Sequence, residues 1–123
     1  MSTDVVWQLR APSQEFESGP QLAREFDALK IRYDFETDTG AYEWEEVTFT
    51  GVVAFRFTDA AHCSPEQIGA YDKLQIVNSS AWPSQLDGPP IDQVNHYRIY
   101  FDDVGCYEVL SRGFVPPASP PGA

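Results

Sequence analysis

Apolar and polar residues alternate with a period of two along three long stretches of this chain. Leu29, Ile31, Tyr33 and Phe35 are interleaved with Lys30, Arg32, Asp34 and Glu36. Val47, Phe49, Gly51, Val53, Phe55 and Phe57 are interleaved with Thr48, Thr50, Val52, Ala54, Arg56 and Thr58. Tyr97, Ile99 and Phe101 are interleaved with His96, Arg98 and Tyr100, and Cys106–Leu110 follows a short break. Successive side chains of a strand point to opposite faces, so each stretch predicts a strand with one core-facing side. Thr37-Asp38-Thr39-Gly40 has the residue types of a turn and makes the first two stretches a long hairpin. Asp102-Asp103-Val104-Gly105 reverses the chain within the third. Gly51 interrupts an apolar face and predicts a bulge or a close approach of another element.

The weaker signals fill in the rest. Val5, Trp7 and Leu9 predict a short first strand, ended or placed at an edge by Pro12. Residues 13–20 read as a loop. Residues 21–28 read as an early start of the 29–36 strand, with a helical turn as the alternative. Ser64-Pro65-Glu66-Gln67 is a capping box with proline at the first helical position, and it predicts a short helix weakened by Gly69. Gln75–Asn78 reads as a brief strand and Ser80–Leu86 as one helical turn. The sum is an α+β, mostly β fold: about six antiparallel strands as a curved sheet or open barrel, with one short helix near 65–73. The expected core is Trp7, Leu29, Ile31, Tyr33, Phe49, Val53, Phe55, Ile68, Tyr71, Ile99, Phe101 and Val109.

Composition fits one domain. At 123 residues, 42% hydrophobic and 14% aromatic, the chain buries a sufficient core without a covalent staple. Residues 1–115 are read as globular and the proline-rich 116–123 as a flexible tail. The charge changes the picture more. With 19 acidic and 8 basic residues the formal net charge is −11, which opposes binding to nucleic acid or to an anionic membrane. A basic protein partner would be drawn in by such a field. The first residues lack the basic and apolar segments of a signal peptide, and no apolar run has the length of a membrane span. Two cysteines, Cys63 and Cys106, fit a bacterial cytoplasmic protein with reduced thiols.

Catalytic and metal signatures are thin. Asp38-Thr39-Gly40-Ala41 spells a motif of aspartic proteases, but no buried apolar strand precedes it and no second motif follows, so it reads as a turn. His62, Cys63, His96 and Cys106 include the residue types of a zinc site without its spacing. Asp102 and Asp103 read as turn residues rather than as a cation site or, with Glu108, a carboxylate cluster. The glycines are isolated, so no phosphate loop is present. No catalytic residue, metal or cofactor is assigned.

Two places remain. Tyr42, Glu43, Trp44, Glu45 and Glu46, with Asp34, Glu36 and Asp38 nearby, interleave acids with aromatics, as a surface for a basic protein partner would. The plainer reading is a solvated hairpin tip with one aromatic tucked into the core. Trp82, followed by Pro83, reads as a cover for the core or a lid over a ligand. With His96, Tyr100 and Glu108 it forms an alternative pocket set.

His96-Tyr97-Arg98-Ile99-Tyr100-Phe101-Asp102-Asp103-Val104-Gly105-Cys106-Tyr107-Glu108-Val109-Leu110 resembles the C-terminal hairpin of a family of small uncharacterised bacterial domains. Phe49-Thr50-Gly51-Val52, Tyr71-Asp72-Lys73-Leu74 and Ser80-Ala81-Trp82 share that resemblance, which covers about residues 47–110. Some such acidic domains are immunity proteins against bacterial toxins. The resemblance implies no catalytic residues to carry over and favours the immunity reading, while the charge, the lack of a catalytic constellation and the acidic aromatic run point to a non-enzymatic binding role. The leading expectation is therefore an acidic protein-binding domain, in its narrower form an immunity-type inhibitor of a bacterial toxin. The rival is a small-molecule-binding domain or enzyme with a pocket inside the curved sheet. A third reading is assembly through exposed strand edges, and the oligomeric state stays open.

Overall fold

Residues 2–117 are described by a computed structural model, in which the alternating stretches are strands. Among the described residues there are seven: β1 (Thr3–Gln8), β2 (Phe16–Glu25), β3 (Ala28–Glu36), β4 (Tyr42–Asp59), β5 (Lys73–Val77), β6 (Asn95–Phe101) and β7 (Gly105–Val115). They form one open antiparallel sheet in the order β1-β5-β6-β7-β4-β3-β2. A single short helix, α1 (Pro65–Ile68), and 3-10 turns at Ser13–Glu15, Ala60–His62 and Trp82–Gln85 complete these elements. Of the expected proline-rich tail, residues 118–123 lie outside the described residues.

The additional strand is β2. Residues 13–20 carry loop-type residues, yet from Phe16 onward the chain pairs with β3. Two register shifts, between Phe16 and Ser18 and between Ser18 and Gln21, absorb Gly19 and Pro20. Phe16 holds the strand down by stacking on Tyr33, with ring centroids 4.4 Å apart. Residues 21–25 are thus strand, but in a different strand from 29–36, with the reversal at Phe26 and Asp27.

The helix starts as its capping box dictates. Ser64 Oγ accepts from the Gln67 N–H at 3.2 Å, and Gln67 Oε1 accepts from the Ser64 N–H at 2.8 Å. It stops at Gly69, well short of residue 73. Asp72 then takes a positive φ of 57° and turns the chain into β5. Ile68 and Tyr71 therefore never share a helical face, and both are exposed rather than core residues.

The sheet is strongly rolled. β3 and β6 are separated by β4 and β7, a distance of about 14 Å in a flat sheet. Yet the rings of Tyr33 and Phe101 lie 6.3 Å apart, and those of Phe16 and Phe101 6.0 Å. Inside the roll sit Leu9, Leu29, Ile31, Tyr33, Phe35, Val47, Phe49, Leu74, Tyr97, Ile99, Phe101 and Val109 as one apolar cluster. Each large side chain buried there contributes about 1.5–3 kcal/mol. Trp7 packs at its margin and is only partly buried.

The bend in β4 decides where this core ends. At Gly51 φ is +63°, and the register with β7 shifts between Val52 and Ala54. Before the bend β4 pairs with β3 on one side; after it, with β7 alone. Val53 and Phe55, expected in the core, lie beyond the bend and are exposed. The register shift breaks the expected alternation: Val52, expected on the other face, packs against the core, while Val53 and Phe55 are left uncovered by the departure of β3.

A tight approach closes the last hairpin. Gly105 has φ +143°, and a Cβ there would stand 2.2 Å from the Thr58 carbonyl oxygen on β4. Gly105→Ala should therefore destabilise the fold by more than about 2 kcal/mol. Urea unfolding monitored by circular dichroism checks this; an unchanged midpoint would contradict the packing at this corner.

Candidate functional site

The polar side chains of β6 and β7 follow from their alternation. Tyr97, Ile99 and Val109 point into the roll, so His96, Arg98 and Glu108 stand on the opposite face. Arg98 on β6 and Arg56 on β4 both pair in register with Glu108 on β7, which brings a cation to each side of one carboxylate. Glu108 is 1% exposed. Its Oε1 accepts from His96 Nε2 at 2.8 Å and Arg98 Nε at 3.1 Å. Its Oε2 accepts from Arg56 Nε at 2.9 Å and Gln67 Nε2 at 3.1 Å. Gln67 thus caps α1 with its oxygen and fastens that helix to the sheet with its nitrogen.

Trp82 closes this cluster from outside. Its ring meets the His96 imidazole edge-on at 5.0 Å, and the Arg56 guanidinium lies 4.2 Å from its centroid. Ser80 Oγ is 2.7 Å from His96 Nδ1 and accepts from the Trp82 N–H at 3.2 Å. An ionised Glu108 only accepts, so His96 Nε2 donates to it; in the neutral ring Nδ1 then accepts from the Ser80 hydroxyl. Among the described residues, no buried side-chain nitrogen or oxygen lacks a hydrogen-bond partner.

Burial alone would raise the Glu108 pKa. Hydrogen bonds from His96, Arg56 and Arg98 and the charge of Arg56 outweigh it and hold the carboxyl well below its usual range. Serine, imidazole and carboxylate in one line are the residue types of an acyl-transfer triad. Here, however, two guanidiniums share the carboxylate, and Trp82 covers the imidazole. The arrangement orders three elements on one anchor. A cleft of about 260 Å³ opens beside it, lined by Ser79, Ser80, Pro83, Asn95 and His96 among others.

Of the alternative pocket set, the structure brings Trp82, His96 and Glu108 together. Tyr100 shares their face but packs against Tyr71, Ala70 and Cys106 in a separate cluster. The expected location is also corrected: the inside of the curved sheet is filled by the apolar core, and the polar cluster lies on the other face. Cys106 belongs to the Tyr100 cluster, with Cys63 against it, and both thiols are free. Burial, and next the charge of Glu108, push the Cys106 thiol up to about 12. Asp38 and Asp102 sit in turns, with Tyr71 Oη donating to Asp102 at 2.9 Å. Among the described residues, no three His, Cys, Asp or Glu side chains are grouped to hold a metal, and no helix is long and apolar enough to cross a membrane.

The acidic run is divided by the pleat of β4. Glu43 and Glu45 alternate with the outward residues and reach Arg10, at 2.6 and 3.3 Å. Tyr33 Oη also donates to Glu45 at 3.3 Å. Burial, partly offset by Arg10 and Tyr33, raises the Glu45 pKa. Tyr42, Trp44 and Glu46 lie on the other face, opposite Glu36, Asp34 and Arg32 of β3. Tyr42 is 55% and Trp44 47% exposed, so neither aromatic is tucked into the core. The charges of Glu17 and then Glu36 push the Tyr42 phenol up, which shows the sign of the field there. Glu46 lies 3.5 Å from Lys30 and 3.8 Å from Arg32, whose guanidinium stands 5.2 Å from the Trp44 ring centroid. A groove of about 610 Å³ runs from Trp44 and Glu46 past Thr48 to Val115 and Pro117.

Sequence reasoning missed Arg10, Arg56, Gln67, Ser80 and Arg98 as members of these sites. The signal for Arg56 and Arg98 was cross-strand pairing: each stands opposite an acid whose own strand predicts an inward neighbour on either side.

Glu108 carries the linkage prediction. Its folded pKa is depressed, so its stabilisation is complete above the unfolded value near 4.3 and falls away from about pH 5 downwards. Glu108→Gln should lose about 3 kcal/mol at pH 7, because the partly buried Arg98 and the half-exposed Arg56 lose the buried carboxylate they share. It should also show a shallower loss of stability between pH 5 and 3 than the parent. Chemical denaturation across that range checks both; parallel pH curves would refute the assigned role. Comparison of the chain with protein-family models, with curated proteins and with solved structures finds no match.

Proposed function

We propose that this chain is a non-enzymatic, acidic protein-binding domain whose partner face is the outer side of the β3–β4 hairpin. One observation carries the reading: Tyr42 and Trp44 stand adjacent on one strand face, about half exposed, within the negative field of Glu17 and Glu36. Large amphipathic rings on a charged rim are the residues that dominate protein interfaces. The Arg32 guanidinium on Trp44 shows the chemistry the ring accepts. Glu43 and Glu45, being engaged by Arg10, serve the hairpin more than the partner; Tyr42, Trp44 and Glu46 form the contact. An immunity-type inhibitor of a basic bacterial toxin is the narrower form of this proposal, supported by the charge and by the resemblance of residues 47–110.

The partner is sought by affinity capture from the native cell and then purified for titration. Trp44→Ala should weaken its binding about 30-fold, the cost of about 2 kcal/mol for an interface aromatic. Glu46→Lys should weaken it less and flatten its salt dependence. A partner that binds both variants as it binds the parent would place the interface elsewhere.

The small-molecule reading keeps one observation in its favour, the cleft beside Ser80 and His96. A ligand filling it should raise the melting temperature of the parent but not of Ser80→Trp, which blocks the opening. A thermal-shift screen with no ligand that discriminates the two removes this reading.

A further inference from the structure

The second half of β4 has an unoccupied edge. β3 pairs only with Tyr42–Phe49, and the last contact on that side is the Val52 N–H to the Asp27 carbonyl at 2.8 Å. From Val53 to Asp59 the strand pairs with β7 alone among the described residues. Val53–Phe57 has no strand partner on this side, the Thr58 and Asp59 carbonyls beyond it accepting from the Cys63 thiol at 3.4 Å, and its side chains Val53, Phe55 and Phe57 are 38%, 39% and 46% exposed. Phe26, in the reversal whose Asp27 meets Val52, is 98% exposed at the near end of the same edge.

The sheet's other edges are guarded. β2 carries Pro20 and two register shifts, and β1 is short and shifts register between Val5 and Trp7. Both devices discourage strand addition. The far half of β4 has its own register shift only at its near end, between Val52 and Ala54; from Ala54 to Asp59 its pairing with β7 is regular, it has no proline, and Arg56, its one cation, is committed to Glu108 and Trp82 on the other face. Charge also distinguishes it. In a chain with 19 acidic residues, 47–58 contains none. Asp59 closes the stretch and Asp27 stands at its near end, but Val53–Thr58 between them carries no carboxylate, so a molecule of net charge −11 can approach its own copy along it.

We propose that this edge pairs with the same edge of a second copy, antiparallel about a two-fold axis through Phe55. In that register Phe55 faces Phe55 of the partner subunit, Val53 faces the partner's Phe57, and Ala54 faces the partner's Arg56. Phe55 and Phe57 of both copies, with the exposed Val53 beside them, join into one apolar patch. Moving the axis by one residue, to Arg56, sets two guanidiniums directly opposite, which cross-strand pairing disfavours. An open strand edge accepts a strand, and an antiparallel strand is its own complement under a two-fold operation. The Tyr42–Trp44 face lies on the opposite half of β4 and stays free, so this assembly is independent of the proposed partner surface.

Sedimentation velocity over a concentration series up to about 0.2 mM tests the proposal. The parent should shift from monomer to dimer, more completely at higher salt as the net charge is screened. Phe55→Lys, at an exposed position, should remain folded by circular dichroism and weaken dimerisation at least about tenfold. Phe55→Cys should form an intermolecular disulfide on mild oxidation, whereas Val53→Cys, facing the partner's Phe57, should not. A parent that stays monomeric throughout overturns the proposal, including the case where the edge takes a foreign strand instead. A dimer that ignores Phe55→Lys overturns it too, and equal cross-linking from both cysteine variants overturns the register.

Discussion

A buried carboxylate with compensation on every side organises the outer face of this sheet. Glu108 joins β4 through Arg56, β6 through Arg98 and His96, and α1 through Gln67. Trp82 and Ser80 then attach to His96 and Arg56 rather than to the carboxylate itself. An isolated buried anion is too costly to keep. The helix and the Trp82 turn are therefore positioned where they complete its coordination. Removing one donor leaves the others with an unbalanced charge, so the cluster acts as a unit and its members cannot be assigned separate energies.

The inner face obeys a different rule. No polar anchor sets its geometry; the roll of the sheet does, and the roll depends on the bend at Gly51. Because β4 changes its company there, one strand serves two local environments. Its first half is core on one side and the exposed Tyr42–Trp44 face on the other, and its second half is a ladder with one open side. The separation explains how a single strand holds the Tyr42–Trp44 surface apart from the Val53–Phe57 edge.

Much of this was legible in the residues. The alternations at 29–36 and 96–110 named their strands and inward faces, and the capping box at Ser64 named the start of α1. The failures share a cause. Period-two patterning tells which side chains share a face but not whether another element covers that face, so Val53 and Phe55 were assigned to the core. β2 was hidden because Gly19 and Pro20 read as a loop, while its pairing depends on Phe16 finding Tyr33. The polar cluster was half visible. His96 and Glu108 stood out as titratable groups in a strand, but their partners at 56, 67, 80 and 98 come together only when β7 settles between β4 and β6.

That placement of β7 sets the order in which the chain can be completed. The middle strand of the sheet is the last to leave the ribosome. Until residues 105–115 emerge, two separate pieces exist: β2, β3 and β4 as a meander, and β1, β5 and β6 as a second group, each with an edge that β7 will occupy. Every contact between the pieces across the centre of the sheet waits for it. The Phe and Ile faces of both pieces thus stay uncovered until β7 is in place. Such a topology is dominated by pairings distant in sequence, and it belongs with the slow folders.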